Sequence, residues 1–444
     1  MLKKKFGVRE FKSPEEIKSF WVKGMKKKIK YAYKTPYWRE KFDELLKGRS
    51  LDDFLKEIKT VDDFGKIPET FREDLKYSDK MVVGDLSNYI LMSTGGTTSD
   101  PAKVYFHPMD NAVIGLIFAQ TYENMGVSQF GDAIMFFPKS SPVNRATSLR
   151  KVLPNLKFIP FGEEAISPET IERLLKADVV TSYTHVFPQL VNENRELIDK
   201  LKREGKVNIK LIISAGDFMP QRNVRMLKDI LGNDINVANI VIANDAPGIS
   251  YSCEKGNIHL ASWAYIAELK PHKESGSSEL VITSLFGKGS QLIRYHIGDL
   301  AEINYDCPCG SADPVIKLVG RTYEGEVHKH CSVQLLQNAC ASSKAFENGK
   351  LSFKGGMIVD YCDPASIVPV YHYYFVQGRN FKQGDEEEIV RELSSYIRKE
   401  LKPYLGQGIN NWADKYHIVK ELPEELRSMP GKWKIRKTIC DKNE

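Results

Sequence analysis

The sequence predicts an α/β protein: a large N-terminal domain of parallel sheet covered by helices, with a β-rich subdomain, then a small mobile α+β domain. Three observations carry this. Between about residues 89 and 242, strand-like segments alternate with helical ones, the pattern of a parallel sheet covered on both faces. After about residue 248, strand-like segments follow one another without long helices. The last ~120 residues mix strands with one long helix, beyond a stretch at 306–324 rich in Cys, Pro, Gly and charge.

Taken in order, residues 14–47 read as mostly helical, because Phe20, Trp21, Met25, Ile29, Ala32 and Tyr33 recur at helical spacing. Short capped helices follow over 60–77. A strand at Tyr89–Met92 runs into a Gly/Thr loop, and a helix covers 109–125. Strands at Ala133–Phe137, Lys157–Ile159, Val179–Ser182, Ile209–Ile213 and Ile240–Ile242 alternate with helices at 144–153, 168–176, 186–204 and 220–231. The β-rich part carries strands at 257–268, 278–284 and 299–304. The domain boundary is placed near Gly320–Arg321. That gives a first domain over 1–320, with its β-rich subdomain at about 249–318, and a second over 321–444. The second domain shows strands at 351–360 and 369–376 and a helix at 385–403.

Composition narrows the function classes. Of 444 residues, 42% are hydrophobic and 27% charged, which excludes a disordered chain, a coiled-coil rod and a collagen-like fibre. No run of 18 apolar residues occurs, so no membrane-spanning helix is expected. The opening Met-Leu-Lys-Lys-Lys is not followed by an apolar stretch, and no secretory leader is expected. Seven scattered cysteines suit a reducing, cytoplasmic compartment better than a disulfide framework. The net charge of +6 is concentrated at residues 1–40, with 13 Lys or Arg against 4 Asp or Glu. That segment reads as a solvated helix face; neither a nucleic-acid nor a membrane partner is expected.

Four motifs carry chemistry. The loop Ser93-Thr94-Gly95-Gly96-Thr97-Thr98-Ser99-Asp100-Pro101 combines glycines, which let backbone approach a polyphosphate, with hydroxyls that donate to it. It is not a Walker loop, since no Gly-Lys-Ser/Thr follows. In Gln291-Leu292-Ile293-Arg294-Tyr295-His296-Ile297-Gly298-Asp299-Leu300, an Asp beside a Gly turn can accept both ribose hydroxyls, and the Arg can contact phosphate or hold the Asp. Val319-Gly320-Arg321 falls at the boundary. Pro430-Gly431-Lys432-Trp433-Lys434 offers a Lys on a Gly-flanked turn, able to reach a distant phosphate as a point charge.

In this order the motifs resemble the adenylate-forming superfamily of acyl-CoA synthetases, closest to its phenylacetate-CoA ligase branch, as a diverged member. The resemblance runs from about Lys26 to Lys434 and includes Pro36-Tyr37-Trp38-Arg39-Glu40-Lys41-Phe42 and Phe71-Arg72-Glu73-Asp74-Leu75. It implies the adenylate-forming fold and ATP-dependent activation of an aryl or small carboxylic acid as an acyl-adenylate, then transfer to a thiol such as coenzyme A. It implies Mg²⁺ beside the leaving pyrophosphate and a homodimer. By position, Thr94, Gly95, Gly96, Thr97 and Thr98 would hold the phosphates. Ser214, Ala215, Gly216 and Asp217, with Asn244 and Asp245, would lie near adenine and the acyl group. Asp299 would bind ribose, Arg294 and Arg321 would support nucleotide and hinge, and Lys432 would be the catalytic lysine. Phe136, Phe137, Tyr183, His185, Phe187 and Phe218 would line the acyl pocket; the same aromatics also suit a plain core.

The chain departs from the family pattern where a cation, an adenine-stacking aromatic and a Mg²⁺-binding Glu are usual; here stand Asp100, Ala243 and Pro247. Two alternatives therefore stay open. One is a relative whose acceptor is an amine, a carrier protein or a coenzyme. The other is a non-catalytic homologue keeping the fold and a structural zinc. Cys253, His259, Cys307 and Cys309 supply three thiols and an imidazole, a closed set suited to tetrahedral structural Zn²⁺. His328, His330 and Cys331 read as surface or hinge residues.

Overall fold

The computed structural model describes residues 8–93, 103–139, 147–162, 166–184, 186–215, 219–242, 245, 248–271, 277–322, 333–360, 370–401, 413–426 and 434–438. The chain opens with helix Pro14–Ala32. Ser13 caps it, Pro14 enters at its first turn, and Glu15 and Glu16 complement the dipole there. Its inner face, Ile17, Trp21, Met25, Lys28, Ile29 and Ala32, is buried, at the three- and four-residue spacing of one helix side. The expected 14–47 helix is broken at Thr35, which caps a new helix, Pro36–Leu46, that ends at left-handed Lys47. Helix Leu51–Glu57 and short 3₁₀ segments at Asp62–Lys66, Arg72–Met81 and Leu86–Asn88 follow.

Strands β1 (Ile90–Ser93) and β2 (Lys103–Phe106) form a hairpin ahead of helix Pro108–Asn124. Then β3 (Ala133–Pro138), β4 (Leu156–Phe161), β5 (Val179–Tyr183), β6 (Leu211–Ala215) and β7 (Asn236–Ile240) build a five-stranded sheet in the order β4-β3-β5-β6-β7. All its neighbours are parallel, as the alternation predicts. Helices Pro168–Lys176, Val186–Glu193, Arg195–Arg203 and Gln221–Leu231 lie between its strands. Each strand sends alternate side chains to two cores. Met135 and Phe137 of β3 join the main core, whereas Ile134 and Phe136 join the core beneath the helices.

Next come β8 (Ser250–Ser252), β9 (Ile258–Leu260), β10 (Tyr265–Pro271), β11 (Ser278–Ser284), β12 (Tyr295–Asn304) and β13 (Val315–Arg321). They form an antiparallel sheet in the order β10-β11-β12-β13-β9-β8. Beyond it, helices Val333–Ser342, Lys344–Glu347 and Glu386–Leu401 pack on β14 (Leu351–Asp360), β15 (Val370–Gln377), β16 (Ala413–Val419) and β17 (Lys434–Thr438). This part has its own core, with Leu336, Phe346, Tyr373, Phe375, Leu393 and Ile397. Among the described residues no helix is long and apolar enough to cross a membrane.

Several expectations are corrected. The strand placed at Ile240–Ile242 is Asn236–Ile240, where Asn239 accepts from the Met219 N–H, and the strand placed at Ile209–Ile213 is Leu211–Ala215. The 186–204 helix is two, parted at Asn194, and 144–153 shows only a 3₁₀ turn at Thr147–Lys151 among the described residues. The strand expected over 257–268 is two, Ile258–Leu260 and Tyr265–Pro271, and β2, β8, β13, β16 and β17 were not expected.

Lys28 sits inside the main fold, donating to the Gly287 carbonyl at 3.0 Å. Burial pushes its ammonium from the ordinary 10.5 down to about 7. The unfolded chain therefore holds the extra proton between those values, and stability contributed here rises with pH across that window. Lys28→Met is expected to raise the melting temperature most near pH 6, with the gain shrinking towards pH 10. Thermal melts of both proteins across that range check it.

Candidate functional site

The site begins at the left-handed residue Arg294, φ +48°, which turns the chain into β12. Its N–H donates to Thr283 Oγ1 at 2.8 Å, and its carbonyl accepts from Thr70 N–H at 3.2 Å. The side chain is 2% exposed. Its guanidinium donates to both oxygens of Glu268 (2.9 to 3.1 Å) and to the Ile67 carbonyl (2.7 Å), and pairs with Glu69 at 3.0 Å. Glu69 also meets Lys270 and His296, and His296 meets Glu279 at 2.8 Å under the stacked ring of Phe71. Arg294, expected to support the nucleotide, thus spends its guanidinium on this half-buried carboxylate cluster. Glu69, Glu268, Glu279, Lys270 and His296 were missed as partners, because residues 201 or 227 positions apart converge here.

Just beyond, the Tyr295 hydroxyl donates to Asp245, which lies past the carboxyl end of β7. This bond joins the start of β12 to the carboxyl edge of the parallel sheet, where ligands of open α/β sheets bind. Asp299, four residues along β12 and 7% exposed, lies directly opposite Arg321 of β13. The ribose and hinge candidates are therefore cross-strand partners. Ser214 and Ala215 end β6, with Ser214 Oγ 2.6 Å from Thr184 Oγ1, and Tyr183 ends β5 opposite Ala215. So the structure gathers Tyr183, Ser214, Ala215, Asp245 and the Tyr295 end of β12 along one edge.

The acyl-pocket expectation is corrected in part. Phe137 and Tyr183 meet edge to face, with ring centroids 4.9 Å apart. Phe136 and Phe187 are fully buried in the core on the opposite sheet face, so they do not share a pocket with Phe137. Thr94, Gly95, Gly96, Thr97, Thr98, His185, Gly216, Asp217, Phe218, Asn244 and Lys432 lie outside the described residues, as do Asp100, Ala243, Pro247, His328, His330 and Cys331.

A second centre sits where the β8–β9 hairpin meets the loop from β12 to β13, brought together because Val315 pairs with His259. The donor atoms of Cys253, His259, Cys307 and Cys309 all lie within 4.8 Å of one another. Cys253 Sγ is 3.8 Å from Cys307 Sγ, and Cys309 Sγ 3.4 Å from His259 Nε2. His259 Nδ1 is 2.7 Å from the Asp313 carbonyl, which orients Nε2 towards the sulfurs. Burial lowers the His259 pKa, favouring the neutral ring a metal needs. Burial, with the neighbouring sulfurs, pushes the Cys309 thiol up to about 12. Three thiolates crowded this closely suit a divalent cation between them.

No protein-family model matches the chain. Protein CapK of Staphylococcus aureus is 25% identical over 416 residues, covering 87% of this chain and 78% of its own. The solved structure of 2-hydroxyisobutyryl-CoA ligase with 2-HIB-AMP, in its postadenylation state, superposes with a TM-score of 0.68 at 15% identity. It covers 94% of this chain and 89% of that one. The chain has the adenylate-forming enzyme fold. The GH3.15 acyl acid amido synthetase is also similar, with a TM-score of 0.54 at 12% identity, covering 90% of this chain and 88% of its own.

Arg294→Leu leaves the half-buried Glu268 and Glu69 without their shared cation, although Glu69 keeps Lys270 and His296. The expected loss is about 1–3 kcal/mol of stability, read from urea unfolding midpoints. An unchanged midpoint would show that the cluster does not hold the segment.

Proposed function

We propose that this chain activates a carboxylic acid with ATP, forming an acyl-adenylate and pyrophosphate, and then passes the acyl group to a thiol such as coenzyme A. The observation that carries this reading is the Tyr295–Asp245 bond, which seats the Asp299 strand beside the carboxyl edge of the parallel sheet. The similarity to a ligase solved with an acyl-adenylate supports it. In this reading the acid's carboxylate attacks the α-phosphate, Asp299 accepts from the ribose hydroxyls, and the Thr94–Thr98 loop donates to the phosphates. Lys432 approaches from the small domain, past the 320/321 division, and offsets charge developing in the transition state. Mg²⁺ would neutralise the leaving pyrophosphate, and Asp245 is the candidate to hold it. Phe137 and Tyr183 form the apolar wall of the acid pocket, suited to an aryl or small acid of the phenylacetate-CoA ligase kind.

The likeness to an acyl acid amido synthetase favours one second reading, transfer to an amine. The two share the first half-reaction. Acid-dependent ATP–pyrophosphate exchange with a panel of aryl and short aliphatic acids tests it. The wild type is expected to exchange with one acid, and Lys432→Ala to lose at least about a hundredfold. Absence of exchange across the panel in folded protein that also fails to bind ATP would overturn adenylation and leave the non-catalytic homologue. Adding coenzyme A or an amine to the active acid then names the acceptor.

The same proposal assigns Cys253, His259, Cys307 and Cys309 to one structural Zn²⁺, all four positions being filled by protein. Reduced thiols of this kind accord with a cytoplasmic site of action. Metal analysis of the purified protein should find one zinc per chain. Cys309→Ser should lose it and melt at lower temperature; a metal-free wild type with the same melting temperature would contradict the assignment.

A further inference from the structure

The basic face of helix Pro14–Ala32, expected to be merely solvated, has an apolar neighbour. A loop at 285–288 lies along the helix, pinned at three points. A Cβ at Gly24 would stand 2.8 Å from Leu285 Cδ2, so the glycine lets Leu285 rest on the helix backbone. Buried Lys28 donates to the Gly287 carbonyl, and the Lys288 ammonium sits 3.9 Å from the Tyr31 ring centroid. Positions 24, 28 and 31 share one side of the helix at three- and four-residue spacing. Between these pins, Phe286 touches Trp263 with its inner edge, ring centroids 6.2 Å apart, and keeps 48% of its surface exposed. The loop is fixed on both sides of this ring, so the ring is presented to solvent by the fold.

Two further apolar side chains belong to the same surface. The Lys288 and Gly289 N–H groups donate to Asp110, which adjoins Met109, 54% exposed. The Ser290 N–H donates to the Tyr105 carbonyl, and Tyr105 lies directly opposite Leu91, also exposed, in the β1–β2 hairpin. Large apolar side chains from three elements thus meet around one loop, which makes a patch rather than ordinary scatter. Lysines border it. Lys23, Lys27 and, just past the helix end, Lys34 are exposed beside the side that holds the loop, and exposed Lys288 stands in the loop itself. None of these four forms an ion pair among the described residues, whereas Lys30, their neighbour, pairs with Asp52.

An occupant of this face must bring negative charge and an apolar phase together. A second copy of this chain, docked face to face, would set lysine against lysine. A nucleic acid would leave Leu91, Met109 and Phe286 against phosphate. An anionic lipid surface offers phosphates to the ammonium groups and acyl chains to the protruding side chains. We infer that this face docks on an anionic lipid bilayer, with Phe286 and Met109 at the headgroup boundary and Lys23, Lys27, Lys34 and Lys288 against the lipid phosphates. The inference does not depend on adenylation.

Co-sedimentation of the full chain with vesicles of phosphatidylcholine holding about one-third phosphatidylglycerol tests it. Binding is expected to these vesicles and not to phosphatidylcholine alone, and is expected to fade at about 1 M salt, where charges are screened within about 3 Å. Lys27→Gln with Lys34→Gln should weaken it at least about tenfold. Phe286→Ser should weaken it about tenfold at unchanged net charge, with the melting temperature preserved in both variants. Lys176→Gln with Lys200→Gln, the same loss of charge on helices of the parallel sheet, should leave it unchanged. No binding by folded wild type would overturn the inference. Equal weakening by the Lys176 and Lys200 substitutions would overturn it too, by making the attraction one of overall charge. So would binding that Phe286→Ser leaves intact. Tighter retention by a double-stranded oligonucleotide than by the vesicles would replace the bilayer with a nucleic acid.

Discussion

The arrangement depends on one buried cation. Arg294 adopts a left-handed backbone that costs a non-glycine residue about 1 kcal/mol, and its guanidinium is removed from water. Both costs are offset because the fork is fully engaged by Glu268, Glu69 and the Ile67 carbonyl. The consequence is positional. The segment around Thr70 is fixed along Tyr295, through Thr70 Oγ1 to the Ile293 carbonyl at 2.7 Å and His296 N–H to the Thr70 carbonyl at 3.0 Å. With both sides of the turn clamped, β12 leaves in one direction, with Tyr295 tied to Asp245 at the edge of the parallel sheet and Asp299 four residues further along.

The other end of β12 is held differently. Its exit loop carries Cys307 and Cys309, and its return strand β13 pairs with both β12 and β9, so the Cys-Pro-Cys knuckle must meet the β8–β9 hairpin. Tyr251 stacks on His259 and donates to Asp313, whose backbone carbonyl orients that same histidine. The candidate nucleotide strand therefore runs between an ionic clamp and a metal-competent knuckle. That accounts for two polar clusters set at the margin of an otherwise apolar core: each fixes direction where hydrophobic contact alone is indifferent to it.

The parallel sheet and its helices were legible in the sequence, because apolar runs of about five residues separated by amphipathic helices have few other solutions. The Cys/His set was also legible, because two short patterns beside adjacent strands suffice. Other features were hidden for identifiable reasons. β17, Lys-Ile-Arg-Lys-Thr, is mostly charged or polar and masks the two-residue period. β3 is buried on both faces, so nothing in Phe136-Phe137 says which ring joins the main core and which the core beneath the helices. Arg294 was noticed for its motif but given the wrong partner, since its carboxylates come from residues 69 and 268.

If Asp299, carried on this clamped strand, forms part of a nucleotide site as proposed, ATP affinity depends on its carboxylate. Calorimetric titration of ATP into the wild type and Asp299→Asn tests it most directly. One ATP per chain is expected to bind the wild type, and the variant to bind at least about tenfold more weakly with an unchanged urea midpoint. A folded wild type that takes up no ATP, or a variant that binds it equally well, would contradict the account.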